Sequence, residues 1–170
     1  KANGVCVIFI GIAGTLQEMF TVSPDGKISL SIRKLNDQPR ERDKDREKIY
    51  SSIMQHCVDL NGKVMFPTFS LHRCQLLLTE LYELFGKDED FKIPILIDSP
   101  LSIKITNYFL NVLKGEEKEL FEKVINWNNV KLLREFEENQ VFLKGEKPCI
   151  FLSSSGMMQA GRSVSNAKVL

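Results

Sequence analysis

The sequence contains few histidines, the commonest metal ligands of proteins. Its two histidines, His56 and His72, do not stand in HxH, HxxE or HxxxH spacing. A hydrolytic zinc site takes three or more protein ligands, so we expect no bound metal ion in this chain alone. The motifs of two other enzyme classes are also missing, since Gly11 and Gly14 do not complete GxGxxG and no GxSxG nucleophile elbow occurs.

Long apolar runs, paired cysteines and an excess of charge are absent as well. The longest apolar run falls far short of the roughly 20 residues that a membrane helix needs, and no signal peptide is recognisable. The net charge of +1 gives no overall attraction for nucleic acid, so any such binding must use a local patch. The four cysteines form no CxxC and are typical of small buried side chains in a reducing compartment. We therefore expect a cytoplasmic protein with no membrane partner.

What the sequence does contain is a series of short apolar runs that alternate with helical patterns. Four of these runs are expected to form strands of one sheet, namely Val5–Ile10, Lys63–Phe66, Ile93–Ile97 and Pro148–Leu152. Strands joined by helices favour a parallel arrangement. The predicted fold is therefore α/β, with a three-layer, mainly parallel sheet flanked by helices. The length is that of one domain, so residues 1–170 are taken as a single unit.

The stretch from Gly62 to Phe85 is predicted to form a strand followed by a helix, and the rest of the predicted fold is built around this unit. Pro67 requires its strand to bend, bulge or end, and Ser70 is the expected N-cap of the following helix. Gly86 is the expected C′ residue of the same helix. The apolar stripe of that helix consists of Leu71, Cys74, Leu77, Leu78, Leu81, Leu84 and Phe85.

The other segments are predicted to form three helices, a turn, a hairpin and less regular structure. Helical periodicity predicts three further helices, at Arg46–Asp59, Leu101–Leu113 and Gly115–Ile125. In the second of these, the apolar face is expected to be Ile105, Phe109 and Val112. The remaining predictions are a small-residue turn at Gly11–Thr15, a hairpin within Phe20–Leu35, a solvated helix entry at Asn36–Lys48, and an extended piece followed by a loop within Val130–Leu143.

Three polar turns follow the predicted parallel strands and should meet at the carboxyl edge of the sheet. They are Thr68–Arg73, Asp98–Pro100 and Ser153–Gly156. The last one has three hydroxyls and a glycine, a pattern that can cradle a phosphate, although a serine-rich helix N-cap would look the same. Arg73 could hold a phosphate through its planar guanidinium or be a solvated helix-start residue. Asp98 could be a general base, a ligand or a cap.

The segments that carry these turns resemble one family. GKVMFPTFSLHRCQLLL, IPILIDSPLSIKITNYF and PCIFLSSSGMMQAGR are similar to three motifs of the β-CASP ribonucleases, in the family's order and roughly at its spacing. These enzymes belong to the metallo-β-lactamase fold and include ribonuclease J and the endonuclease subunit of the pre-mRNA cleavage factor. The resemblance covers about Arg40–Arg162.

The resemblance implies a Rossmann-like β-CASP cap, a domain inserted into a metallo-β-lactamase core. In the family the cap closes over a two-zinc centre and forms one wall of the RNA cleft. The zinc ligands, HxHxDH and later His and Asp residues, lie in that core, so the cap should hold no catalytic residue and be inactive alone. The implied partners are RNA and the core, with self-association left open. The cleft-facing residues carried over are Thr68, Arg73, Asp98, Ser99, Ser153, Ser154, Ser155, Gly156 and Met157.

Residues 1–35 match the family less well, and two alignments are open. VIFIGIAGT could replace a family strand that ends in Thr-Tyr-Gly, and that strand's acidic residue is then lost. It is closer in letters to the family segment that normally follows the SGMM helix, with IFIG and GTL retained, but there it is out of order. Permutation, rearrangement or an engineered junction could each produce such an order.

The leading hypothesis is therefore the cap of a β-CASP nuclease that positions RNA for zinc-dependent phosphodiester hydrolysis. The alternative is a non-catalytic RNA-processing interaction module, a pseudo-enzyme homologue, which a degenerate N-terminal segment would suit. A third hypothesis is a free-standing α/β nucleotide-binding protein. The presence or absence of HxHxDH in the full-length protein would separate the first two.

Overall fold

The structure is a computed structural model that describes residues 5–10, 16–22, 28–34, 48–55, 57, 59 and 61–170, with the backbone alone in the first three ranges. Its strands are β1 (Val5–Ile10), β2 (Leu16–Val22), β3 (Ile28–Lys34), β4 (Lys63–Pro67), β5 (Ile95–Asp98), β6 (Val130–Leu132) and β7 (Cys149–Ser153). Its helices are α1 (residues 48–55, with 57 and 59 also helical), α2 (Arg73–Phe85), α3 (Pro100–Val112), α4 (Gly115–Ile125), α5 (Phe136–Lys144) and α6 (Arg162–Ala167). The predictions for Gly11–Thr15 and for most of Asn36–Lys48 lie outside the described residues. No helix in the described part of the chain is long and apolar enough to cross a membrane.

The seven strands of the described ranges form one sheet in the order β3-β2-β1-β4-β7-β5-β6. From β1 to β6 the neighbours in this order are parallel, and the antiparallel hairpin β2–β3 extends the sheet beyond β1. The predicted mainly parallel sheet is therefore confirmed, with β5 and β7 side by side. The hairpin predicted within Phe20–Leu35 is confirmed too, and its first strand begins earlier, at Leu16.

Helices cover both faces of β4, β5 and β7, which is why these strands read as apolar runs. Val64 and Phe66 belong to the core on one face, together with side chains of α1, α2, α3 and α4. Met65, between them, belongs to the core on the other face, with side chains of α5 and α6. The same alternation separates Ile150 and Leu152 of β7 from Phe151 and Cys149. The three-layer α/β architecture is confirmed.

Helix α2, the first helix after β4, does not begin and end as predicted. β4 ends at Pro67, as its ring requires, but α2 begins only at Arg73 and its N-cap is His72. The prediction of Ser70 as cap is wrong, because its hydroxyl lies 3.3 Å from the Ser99 hydroxyl instead. Gly86 does end the helix, but as a C-cap with φ −67° and not as a left-handed C′ residue. Glycine is required there because a Cβ would lie 2.5 Å from the Tyr82 carbonyl oxygen.

Helix α3 packs through a polar face that the apolar pattern did not predict. Its buried residues are Ser102, Ile103 and Thr106, whereas Val112 is 46% exposed. The reason is a contact with α2, where Gln75 Nε2 donates to Thr106 Oγ1 at 3.1 Å. Of the predicted apolar face, Ile105 and Phe109 are half-buried, and the Phe109 ring lies 5.9 Å from the Phe121 ring of α4, so the prediction is wrong only for Val112.

The predicted loop after β6 is also wrong, because the chain forms α5 there. The Glu138 carboxylate caps the helix start by accepting from the N–H groups of Arg134 at 2.7 Å and Glu135 at 3.1 Å. At the other end, Lys63 Nζ donates to the carbonyl oxygens of Leu143 at 2.9 Å and Gly145 at 2.6 Å. This cation satisfies carbonyls that the helix leaves unpaired.

Candidate functional site

Three polar turns meet at the carboxyl edge of the sheet. Ser153, at the end of β7, is in register with Pro67 of β4 on one side and with Asp98 of β5 on the other. The Thr68 N–H donates to the Ser153 carbonyl oxygen at 2.8 Å. The structure thus brings together the turns that follow β4, β5 and β7.

Asp98 lies at the centre of a buried polar network beneath these turns. Its carboxylate is fully buried, and Oδ1 accepts from Arg162 Nη1 at 2.6 Å. Oδ2 accepts from the Nδ2 atoms of Asn166, at 2.7 Å, and Asn139, and from the Ser153 hydroxyl at 3.4 Å. Asn166 Nδ2 also donates to Ser153 Oγ at 2.9 Å. Both buried side chains, Asp98 and Ser153, are therefore engaged within the protein, which does not favour the predicted direct contact with RNA.

Arg162 ties this network to the start of α5. In addition to its ion pair with Asp98, its Nη1 donates to the Leu133 carbonyl oxygen at 3.1 Å and its Nη2 to the Arg134 carbonyl oxygen at 2.7 Å. Its side chain is 16% exposed. A guanidinium held by three acceptors in this way has a fixed orientation.

Ser99 and Ser154 form a second hydrogen-bonded group. Ser99 is the N-cap of α3, and its Oγ accepts from the Ser102 N–H at 3.1 Å. The Ser154 hydroxyl donates to the same oxygen at 2.8 Å. Ser99 is 1% exposed, and its burial likewise does not favour the predicted direct contact with RNA. The N-cap of α3 is thus Ser99 and not Asp98, and the N-cap of α6 is Gly161, so none of Ser153–Ser155 caps that helix.

The turn at Ser155–Met157 is the part of this edge that remains open to a ligand. The Met158 N–H donates to the Ser155 carbonyl oxygen at 3.1 Å, which closes a turn around Gly156 and Met157. Within residues 61–170, the Ser155 hydroxyl and the N–H groups of Gly156 and Met157 have no hydrogen-bond partner. Met157 is 62% exposed. One hydroxyl and two N–H groups of a turn are a suitable donor set for an oxyanion.

The turn after β4 lies against this donor set. Gly156 packs so closely on Phe69 that a Cβ would lie 3.0 Å from the Phe69 nitrogen. Arg73, four residues further along, is half-buried at the start of α2 and forms no ion pair with any other described residue. Thr68 is 7% exposed, and its hydroxyl has no partner among the described atoms. Arg73 is thus the side chain of this turn that is suited to an external anion.

The described side chains do not fit a metal centre or a thiol nucleophile. No group of three or more His, Cys, Asp or Glu side chains in the described ranges is arranged to hold a metal ion. Burial raises the pKa of the Cys74 thiol to about 11. Burial likewise raises the pKa of Cys149 to about 12. Both thiols are therefore protonated and unreactive near neutral pH.

Comparison with known proteins identifies the family. A family model described as the Beta-Casp domain matches residues 74–169, which is more than half of the chain. The chain therefore belongs to the Beta-Casp domain family, as the resemblance of its motifs implied.

Three relatives show how this domain occurs elsewhere. Cleavage and polyadenylation specificity factor 73 of Drosophila melanogaster is 30% identical over 137 residues, covering 72% of this chain and 18% of the relative. The RNase J-like protein of Methanocaldococcus jannaschii is 34% identical over 118 residues, covering 66% and 26% respectively. Endoribonuclease YSH1 of Mycosarcoma maydis is 26% identical over 188 residues, covering 94% and 20%. The chain thus spans 18% to 26% of the length of these relatives.

Proposed function

We propose that this chain is the cap domain of a β-CASP, metallo-β-lactamase-fold ribonuclease and forms one wall of its RNA cleft. RNA as substrate is supported by relatives whose names include an endoribonuclease and an RNase J-like protein. In this proposal residues 1–170 are a single cap, the core and RNA are its partners, and the two zinc ions belong to the core. The buried thiols of Cys74 and Cys149 agree with a cytoplasmic location.

The observation that carries this proposal is the donor set at Ser155, Gly156 and Met157. These groups lie at the carboxyl edge of a parallel sheet, where α/β proteins commonly bind their ligands. They are donors without an internal acceptor among the described residues, and an RNA phosphate supplies acceptor oxygens and negative charge. The Arg73 guanidinium, on the adjacent turn, would add a cation to the same wall. Thr68 and Ser154 then support the wall from within.

The proposed phosphate contact is tested by separating Ser155 from Ser154. In a protein that contains both cap and core, Ser155→Ala is expected to raise the Kd for a single-stranded oligoribonucleotide about tenfold and to leave the Tm unchanged. Ser154→Ala removes the bond to Ser99 and is expected to lower the free energy of unfolding by about 1 kcal/mol, with little change in Kd. If Ser155→Ala lowers the Tm and leaves the Kd unchanged, the turn is structural and the site is wrong.

The assignment of the zinc ions to the core leads to a prediction about the isolated chain. We expect the purified 170-residue chain to retain no stoichiometric zinc after dialysis and to cleave no RNA, because its described side chains do not form a ligand set. Elemental analysis and incubation with a labelled oligoribonucleotide measure both properties. About one zinc per chain surviving dialysis would show that this chain contributes a metal site of its own.

A further inference from the structure

The loop that carries the donor set is held at both ends by one carboxylate. Residues 154–161 connect β7 to α6, and Ser153 and Arg162 are the residues immediately before and after them. Arg162 donates to Asp98 Oδ1 at 2.6 Å, and Ser153 donates to Oδ2 at 3.4 Å. Asn166, one turn into α6, donates to Oδ2 as well, at 2.7 Å. Asp98 therefore sets where the loop leaves the sheet and where it enters the helix.

We infer that Asp98 is a positioning residue for phosphate binding, acting through Arg162 and Ser153 on the Ser155–Met157 turn. The inference rests on the proposed function, since it takes that turn as the phosphate contact. Asp98 cannot make the contact itself, because it is fully buried and its negative charge would repel a phosphate. Ser155, in contrast, has a hydroxyl that can contact a phosphate directly.

The physical reason is that backbone N–H groups bind an anion tightly only when they already point towards its position in the unbound protein. A loop that had to order itself on binding would lose affinity to the entropy of ordering. Inside the loop, the Ser155 N–H donates to the Ala160 carbonyl oxygen at 3.3 Å, and Ser163 Oγ donates to the Ser155 carbonyl oxygen at 2.8 Å. These bonds preserve the turn only while the two loop ends keep their spacing.

A double-mutant cycle with Asp98→Asn and Ser155→Ala tests the inference, with the Kd for an oligoribonucleotide as readout in a protein that contains cap and core. Asparagine keeps the size of the side chain and removes the charge that holds Arg162. Each single variant is expected to raise the Kd about tenfold, and the double variant to raise it no further than either single one. Additive effects, about a hundredfold in the double variant, would mean that Asp98 acts independently of the turn and would overturn the inference. Where Asp98→Asn does not fold, Asn166→Ala removes a donor from the same carboxylate and takes its place.

A matched control separates positioning from loss of stability. Lys63→Met removes two hydrogen bonds at the opposite end of β4 and should lower the Tm while leaving the Kd unchanged. Asp98→Asn should also accelerate amide hydrogen exchange selectively in residues 154–161. If Lys63→Met weakens RNA binding as much as Asp98→Asn does, stability alone explains the effect and the inference fails. If Ser155→Ala leaves the Kd unchanged, the proposed site fails instead. In that case amide hydrogen exchange decides whether Asp98 holds the loop in place. Acceleration confined to residues 154–161 supports this role, and acceleration throughout the protein overturns it.

Discussion

Replacing Arg162 with methionine is expected to lower the free energy of unfolding by about 3–5 kcal/mol. The variant leaves the Asp98 carboxylate fully buried without its cation, and it removes the donors to the Leu133 and Arg134 carbonyl oxygens. An ionised carboxylate in such a place keeps its desolvation cost and loses the compensating interaction with its cation. Urea unfolding followed by circular dichroism measures the change as a lower midpoint at constant m-value.

Two companion variants show whether the buried pair is the cause. Arg134→Met removes an exposed arginine next to the same network, and its effect should stay within about 0.5 kcal/mol. The double variant Asp98→Asn/Arg162→Met should be more stable than Arg162→Met alone, because a neutral amide replaces the unpaired charge. A double variant less stable than the single one would contradict this account of the ion pair.

The sheet could be predicted from the sequence because its signals are local. Runs such as VCVIFI and IPILI are apolar throughout and bounded by Gly, Pro or Asp, and this pattern describes a parallel strand covered on both faces. The parallel order then requires that the turns at Thr68, Asp98 and Ser153 meet at one edge. The juxtaposition of these turns therefore followed from periodicity and connectivity alone.

The role of each polar residue at that edge could not be predicted in the same way, because it depends on partners distant in sequence. Asp98 is separated from Asn139 by 41 residues and from Arg162 by 64. Asn139 lies on α5, which the interleaved charges of that segment concealed. No local pattern separates a carboxylate exposed to a ligand from one neutralised by a distant arginine. The third motif ends in Gly-Arg, and its arginine is Arg162. This pair indicated the family, but it did not indicate that Arg162 contacts Asp98.

Gly161→Ala is expected to lower the free energy of unfolding by about 3 kcal/mol and to weaken RNA binding at least about tenfold. Gly161 has φ 79° and ψ −166°, a region that residues with a side chain rarely adopt. Its Cβ would also lie 2.8 Å from the Ser154 carbonyl oxygen, which accepts from the Ser163 N–H at 2.8 Å. The methyl group must displace that carbonyl, and the adjacent Ser155–Met157 turn moves with it. Thermal unfolding and oligoribonucleotide binding on the same variant measure the two effects.

Gly115→Ala is the matched control, because Gly115 also has a positive φ, 58°, but nothing lies within 4 Å of its would-be Cβ. Gly115→Ala should therefore lower the free energy of unfolding by about 1 kcal/mol, the cost of the backbone conformation alone, and should leave the Kd unchanged. The difference in unfolding free energy between the two variants then measures the collision with Ser154 together with the additional backbone strain at Gly161. If both variants lose the same stability and neither binds RNA more weakly, the close approach of Gly161 to Ser154 has no part in shaping the phosphate-binding turn.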